Sequence, residues 1–268
     1  MPENELLRDD QMLLHQTYLV FSREISHRVR QPTWMALGLL QPLLFMYFFG
    51  PLLKKYVAYT PGFPPGTMWQ IFAPALMLQM VLVGTSTVGL NLLVESRSGV
   101  LERFRVTSLK PAALLLGKVA CVTAYTLVQS ILILVLCHFS FGLKAPVLGV
   151  LAALAFTAAL AVVLSSCSYA LALWINNEET VPVVVNVSLM PLLLLSGTFL
   201  PITEELAPEW LFKLSQFNPA AHVMTASRQV FIGDFDNPGV LVGLAWATAS
   251  GVLAITWAVR VFSGQERV

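Results

Sequence analysis

Long apolar runs separated by short polar segments fill most of this chain. The runs cover residues 33–53, 71–94, 112–137, 147–175, 181–200 and 239–262. Each is close to the roughly 20 residues that an α-helix needs to cross the hydrocarbon core of a bilayer. The pattern therefore predicts an all-α integral membrane protein with six transmembrane helices.

The polar segment before the first run has a helical pattern of its own. Arg23 and Arg30 lie on one face, and apolar side chains recur on the other at steps of three and four residues. The apolar positions are Leu14, Tyr18, Phe21, Ile25 and Val29. This spacing predicts an amphipathic helix that lies in the headgroup layer, with a plain soluble helix as the alternative.

Residues 201–238 form the longest segment between two runs. Apolar side chains recur there at helical steps, at Leu206, Trp210, Leu211, Leu214 and Phe217. We expect one or two short helices that lie at the outer membrane interface, or dip into it, before the last span.

Small residues recur every four positions in the last run, at Gly239, Gly243, Ala247 and Gly251. Such a seam lets two helices approach closely, either inside one bundle or between two copies of a chain. We expect packing inside the bundle.

The placement of Lys and Arg predicts the orientation. With the amino terminus inside, eleven of the 16 basic residues fall at the inner side and five at the outer side. Positive charge is enriched in cytoplasmic segments. Both termini are therefore expected in the cytosol, and an even number of spans agrees with this because it places both termini on the same side of the membrane.

The composition supports the membrane class. The chain is 56% hydrophobic and 12% charged, with a mean hydropathy of +0.72, whereas a soluble domain is about a quarter charged. We expect one membrane domain over residues 1–268. It comprises an amphipathic arm at 1–32, six spans at 33–262 and a cytosolic tail at 263–268.

Enzymatic and metal-binding chemistry finds little support in the sequence. The four histidines are scattered without an HExxH motif, and the three cysteines lie in or beside apolar runs without CxxC spacing. We therefore expect no catalytic residue, no metal site and no cofactor in this chain.

Membrane transport driven by an ion gradient is also disfavoured. No acidic residue lies in the middle of a run, although such carriers need ionisable or ligating groups at membrane depth. Lys118 is the exception among basic residues, and its position about two turns from the cytosolic end predicts that it snorkels to the interface. Gly117-Lys118 lacks the rest of a phosphate-binding P-loop, so any ATP must be bound by a separate polypeptide.

The segment 95–110 is the best candidate for contact with such a partner. It joins two predicted spans on the cytosolic side and carries both signs of charge together with apolar Val100, Leu101 and Phe104. A merely solvated loop has no need of an apolar face. The segment is therefore predicted to dock a cytosolic protein, with a charged, unpartnered loop as the alternative.

Two regions of the chain resemble the permease subunits of type-2 ABC exporters, the family of daunorubicin-resistance-like efflux permeases and their polysaccharide- and lipid-exporting relatives. The first is Glu95-x3-Gly99-x-Leu101-Glu102-Arg103-x-x-Val106-Thr107, followed by Leu114-Leu-Leu-Gly-Lys118. The second is Ser196-Gly-Thr-Phe-Leu-Pro201, then Pro208-Glu-Trp-Leu211, Asn218-Pro219 and Arg228. One departure is Ser108, where the family usually has proline; here Pro111 follows three residues later.

The resemblance implies a cytosolic coupling helix at the first region and an outer re-entrant segment at the second. It also implies a second permease copy or a paralogue, a resistance or export role, and two copies of a separate ABC subunit that binds ATP and Mg²⁺. Membrane lipid is the other expected partner, and nucleic acid is not one. The residues expected to contact the ATP-binding subunit are Glu95, Gly99, Leu101, Glu102, Arg103 and Phe104.

The sequence thus predicts the permease subunit of an ATP-driven exporter that moves an amphipathic drug or a lipid-linked substrate outward. A membrane scaffold that docks a cytosolic partner without transport is the alternative, because it needs only the spans and the docking segment.

Overall fold

A computed structural model describes residues 2–52, 67–97 and 110–264, and in these ranges the fold is all-helical. The α-helices are α1 (Pro2–Val29), α2 (Pro32–Leu44), α3 (Met68–Ser86), α4 (Val88–Arg97), α5 (Pro111–Phe141), α6 (Val147–Ile175), α7 (Thr180–Leu194), α8 (Glu209–Ser215), α9 (Pro219–Ile232) and α10 (Pro238–Gly264). A π-helical turn at Phe45–Phe49 continues α2.

Five of the helical stretches are long and apolar enough to cross a membrane. They are Met35–Leu52, Met68–Arg97, Ala112–Phe141, Val147–Ile175 and Pro238–Phe262. These stretches match five of the six apolar runs, so the all-α class and the multi-pass character are confirmed. The cytosolic coupling helix falls in a part of the chain outside the described residues.

The sixth predicted span, at residues 181–200, corresponds to the shorter helix α7. α7 has 15 residues, which is about 22 Å at 1.5 Å per residue, against a hydrocarbon core of about 30 Å. The helix ends at Leu194 rather than at residue 200. Gly197 follows with φ 70°, a left-handed conformation that suits glycine and turns the chain away from the helix axis.

The second span is interrupted about two thirds of the way along its length. α3 ends at Ser86 and α4 begins at Val88, with Thr87 between them at φ −99° and ψ −9°. The hydroxyls of Thr85 and Ser86 donate to backbone carbonyls of the preceding turn, at 2.8 Å and 2.7 Å. Such back-bonding bends helices, so α3 and α4 are separate segments of one span.

α3 lies at the centre of the protein and packs against α2, α5, α6, α7 and α9. Its side chains Leu76, Met77 and Val81 are completely buried. The first and last candidate spans lie at the periphery and are mostly exposed, with apolar faces that suit contact with lipid.

The predicted amphipathic arm is a helix, α1, which packs along α5. The apolar stripe points away from the protein at three positions, since Leu14, Tyr18 and Val29 are each more than 60% exposed. A different face, with Val20 and Glu24, meets α5. The outward stripe therefore remains free for a bilayer surface.

Two helices, α8 and α9, occupy the predicted outer segment before the last span. α9 packs against α3, α6 and α10, so it belongs to the bundle and not to a peripheral loop.

Candidate functional site

The structure describes only the two ends of the predicted docking segment, residues 95–97 and Lys110. Glu95 lies in the last turn of α4, and Lys110 precedes α5. The other expected contact residues, Gly99, Leu101, Glu102, Arg103 and Phe104, lie outside the described residues. Their role in binding an ATP-binding subunit stays a prediction, and the described flanks define the candidate site.

A cluster of three charges fixes the first flank. The Lys118 ammonium on α5 lies 2.7 Å from Glu95 Oε2 on α4 and 3.1 Å from Glu24 Oε1 on α1. The Lys118 side chain is only 6% exposed. An ammonium in so dry a place requires opposite charges, and these short charge-assisted bonds supply them. We call Glu24, Glu95 and Lys118 the charge clamp.

The charge clamp differs from the prediction that Lys118 snorkels to water. The ammonium is held between carboxylates from two other helices, and both carboxylates are more exposed than the ammonium itself. One feature of the sequence could have predicted this arrangement. A single lysine inside an apolar helix usually pairs with an acidic residue, and Glu24 lies on the polar side of α1.

Two contacts fix the second flank. The backbone N–H of Lys110 donates to Gln16 Oε1 at 3.0 Å. Nearly two helical turns into α5, Gly117 lets α1 approach closely. A Cβ at this position would lie 2.7 Å from Val20 Cβ and 2.9 Å from the Thr17 carbonyl oxygen. α1 therefore holds α5 where the chain emerges from the docking segment.

The same face of α5 continues as a series of polar contacts. The Arg28 guanidinium lies 5.1 Å from the Tyr125 ring centroid, within cation–π range. Gln129 Nε2 donates to Tyr125 Oη at 3.3 Å and lies close against Gly38 of α2. α1 and α5 are thus joined by polar side chains as well as by apolar packing, and Gly38 lets α2 approach α5 closely.

Arg97, the last residue of α4, makes a weaker contact with the segment between α6 and α7. Its Nε lies 3.3 Å from Glu178 Oε1, and its Nη2 donates to the Asn176 carbonyl oxygen at 3.5 Å. The Arg97 side chain is 57% exposed, and exposed ion pairs contribute about 0–1 kcal/mol. This link orients the end of α4 without fixing it.

A second constellation forms at the end of α7, from the other region that carries the family resemblance. Arg228 Nη2 donates to the Gly197 carbonyl oxygen at 2.8 Å, and its Nε donates to the Ile71 carbonyl oxygen at 3.2 Å. Asn218 Nδ2 donates to the Leu192 carbonyl oxygen at 2.8 Å, while its Oδ1 accepts from the N–H of Ala220 and caps α9. Asn218 thereby satisfies a carbonyl in the last turn of α7 that the helix itself leaves unpaired, whereas Arg228 binds one carbonyl just beyond that helix end and one in the first turn of α3.

Arg228 is a buried cation held by carbonyl dipoles. In the part of the chain that the structure describes, no carboxylate lies within ion-pair distance of its guanidinium. Burial lowers the pKa of Arg228 to about 9, so the side chain is still protonated at pH 7. The two carbonyl contacts are therefore what compensates its charge in a dry site.

Glycines bring α9 into close contact with its neighbours. A Cβ at Gly149 of α6 would collide with the carbonyl oxygen of Val230, and one at Gly243 of α10 would collide with Ala226. The small-residue seam of the last span therefore faces α9 of the same chain at Gly243. This contact confirms packing inside the bundle at that position.

Comparison with known proteins adds to this geometry. The sequence profile of the family described as ABC-2 type transporter matches residues 15–232. The chain is 26% identical over 220 residues to the daunorubicin resistance ABC transporter permease protein DrrB1 of Streptomyces coeruleorubidus, covering 81% of this chain and 74% of that protein. It is 22% identical over 219 residues to the transport permease ycf38 of Cyanophora paradoxa, with the same coverage.

Proposed function

This chain belongs to the ABC-2 type transporter family and is a transport permease subunit, and we propose that it exports an amphipathic drug or a lipid-linked substrate with a separate ATP-binding subunit. The family implies such a partner. Two permease chains, identical or paralogous, and two ATP-binding subunits form the proposed complex, which binds ATP and Mg²⁺ on the partner subunits.

The observation that carries this proposal is the anchoring of both flanks of the docking segment. Glu95 is held in the charge clamp, and Lys110 is bonded to Gln16 of α1. A loop that only connects two spans needs no such anchors. Flanks fixed to helices of the bundle are what a segment requires if a push on it is to move the membrane domain.

Within the docking segment, the apolar side chains are the proposed anchors. Leu101 and Phe104 would insert into a groove of the ATP-binding subunit, because buried apolar and aromatic contacts dominate such interfaces. Glu102 and Arg103 at the rim would set the orientation, since charges there contribute mainly to specificity. Closure of the two ATP-binding subunits would then rock the two permease chains.

The proposal includes the six-span topology with both termini in the cytosol. The short helix α7 and the turn after it form the fifth span, whose outer end is completed by Arg228 and Asn218. α8 and α9 then lie at the outer side, and α1 lies in the cytosolic headgroup layer. The exposed apolar stripe at Leu14, Tyr18 and Val29 supports that location.

The decisive experiment is co-expression of this chain with the P-loop ATPase encoded nearest to its gene, followed by reconstitution into liposomes. We expect co-purification and ATP-dependent movement of a probe, and daunorubicin is the first probe because of the DrrB1 relative. A lipid-linked oligosaccharide is the second. A stable complex that moves neither probe and whose ATP hydrolysis neither probe stimulates would favour the scaffold; absence of any complex would overturn the proposal.

A further inference from the structure

We propose that Lys118 is a positioning residue that makes the amino-terminal helix α1 move together with the docking segment. This inference rests on the proposed function and extends it, because α1 becomes a moving part of the coupling apparatus and not only an anchor on the membrane. The juxtaposition that carries it is one buried ammonium between carboxylates of α1 and α4.

The position of α4 allows the charge clamp to transmit a movement of the docking segment to α5. α4 is a ten-residue helix that follows the break at Thr87 and packs on α6 and α7. The ion pair from Glu95 to Lys118 extends its contacts across to α5. A displacement at the end of α4 therefore reaches α5 through this pair.

The same ammonium passes the displacement on to α1. Glu24 lies 3.1 Å from Lys118 Nζ, and contacts on either side of it hold α1 parallel to the first half of α5. Gln16 bonds Lys110 at one end, and Arg28 lies over the Tyr125 ring at the other. α1 is thus fixed along three turns to the helix that leaves the docking segment.

Burial makes this link stronger than an ordinary surface pair. Lys118 is 6% and Glu24 16% exposed at the side chain, whereas the pair of Lys213 and Glu209 on α8 is 70% and 81% exposed. Exposed pairs are weak and break readily, but removal of one partner of a buried pair leaves a charge that nothing compensates. The clamp therefore keeps its geometry while the helices around it move.

Two acids on one lysine allow the two links to be separated. Glu24→Gln removes the link from Lys118 to α1 and leaves Lys118 paired with Glu95, so the ammonium keeps one carboxylate partner and the protein is expected to fold. Glu95→Gln removes the link from Lys118 to α4 and leaves the link to α1 in place. Lys118→Arg keeps the charge and serves as the conservative variant, while Lys213→Gln is the matched control for loss of a charge pair.

Pulsed electron spin resonance distances test the inference in the reconstituted complex with its ATP-binding subunit. The three native cysteines are replaced, and spin labels are placed at Leu19 on α1 with either Val128 on α5 or Val252 on α10, all of which are exposed. Samples are compared without nucleotide and with ATP plus vanadate.

In the wild-type background we expect one narrow Leu19–Val128 distance in both states and a nucleotide-dependent shift of the Leu19–Val252 distance. Glu24→Gln is expected to broaden the first distance and abolish the shift of the second, with unchanged recovery of the ATP-binding subunit. Lys118→Arg and Lys213→Gln are expected to behave as wild type.

Two results overturn the inference alone: a Leu19–Val128 distance that changes with nucleotide in the wild type, or a Glu24→Gln protein that keeps both the narrow distance and the shift. Failure of the wild-type chain to bind any ATP-binding subunit overturns the proposed function together with it.

Discussion

Arg228 of α9 donates a hydrogen bond to the carbonyl oxygen of Gly197, 31 residues earlier in the chain, at 2.8 Å. The left-handed turn at Gly197 and the buried guanidinium belong to one arrangement, in which a side chain from outside α7 completes the end of that helix. This end of the bundle is therefore stabilised by polar contacts between segments as well as by apolar packing.

Arg228→Gln should destabilise the protein by about 3 kcal/mol, because charge-assisted hydrogen bonds contribute about 1.5–3 kcal/mol each and the Gly197 carbonyl loses its partner in a dry site. Arg228→Lys should be intermediate, since an ammonium lacks the planar fork that reaches two carbonyls. Thermal unfolding in detergent, followed by the fluorescence of the six tryptophans, measures the change.

Lys213→Gln is the control for the Arg228 variants, because it removes a cation from an exposed pair on the neighbouring helix α8. It should change the unfolding temperature little. An Arg228→Gln protein as stable as this control would show that the two carbonyl contacts contribute nothing to the fold.

Gly149→Ala should separate α6 from α9. The new Cβ would collide with the backbone carbonyl oxygen of Val230, and a backbone atom in a packed helix cannot move aside as a flexible side chain can. Overpacking of this kind typically costs about 1–3 kcal/mol. The expected outcome is a lower unfolding temperature and a lower yield of monodisperse protein.

Gly251→Ala provides the matched control for Gly149→Ala. Its Cβ would meet only Val163 Cγ2 at 3.9 Å, an ordinary van der Waals distance. Alanine is also favoured over glycine in a helix by about 1 kcal/mol, so this variant should be unchanged or slightly more stable. Equal behaviour of the two variants would contradict the proposed close approach of α6 and α9.

Local sequence patterns were sufficient for five of the six predicted spans and for the helix α1, because hydropathy over about 20 residues and a period of 3.6 are properties of the segment itself. The pairing of Lys118 with Glu24 was missed because it is a contact between distant parts of the sequence. Glu24 is 94 residues away in the sequence, and no local pattern encodes which helices become neighbours. Hydropathy likewise extended the fifth run to residue 200, since it does not register the turn at Gly197.

For the candidate site as well, the sequence indicated individual residues but not their partners. The resemblance marked Glu95, Asn218 and Arg228, and the structure gives each a specific partner. The pairing of those residues depends on tertiary contacts, which is why Gln16 and Gly38 carried no signal in the sequence. Gly117 was noted as part of an incomplete P-loop and of the motif Leu114-Leu-Leu-Gly-Lys118, whereas its physical role in the structure is to let α1 approach α5 closely.

The proposed orientation predicts opposite accessibility for two exposed positions. In a chain without native cysteines, Gln31→Cys before α2 should react with a membrane-impermeant maleimide only after the cells are permeabilised. Lys213→Cys on α8, whose native side chain is 70% exposed, should react in intact cells. The reverse pattern would place the docking segment outside the cell and would exclude an ATP-binding partner there.

Leu101→Asp and Phe104→Asp should each prevent recovery of the ATP-binding subunit while leaving membrane insertion intact. A carboxylate at an apolar anchor has to be desolvated when the interface forms, and truncation of such anchors alone costs 2 kcal/mol or more in typical interfaces, roughly a thirtyfold loss of affinity. Insertion should be unaffected because the spans retain their apolar length. Affinity purification of the partner through a tag on the permease measures the loss.

Leu214→Asp on α8 is the control for this pair, since it places the same charge at an exposed apolar position of a helix that the proposed topology puts on the outer side. It should leave recovery of the partner unchanged. If Leu101→Asp and Phe104→Asp retain wild-type recovery and wild-type transport, the docking segment is not the contact through which ATP hydrolysis reaches the membrane domain. The charge clamp would then fix one end of a segment that transmits no movement. The proposed docking contact and the proposed role of Lys118 would both be wrong.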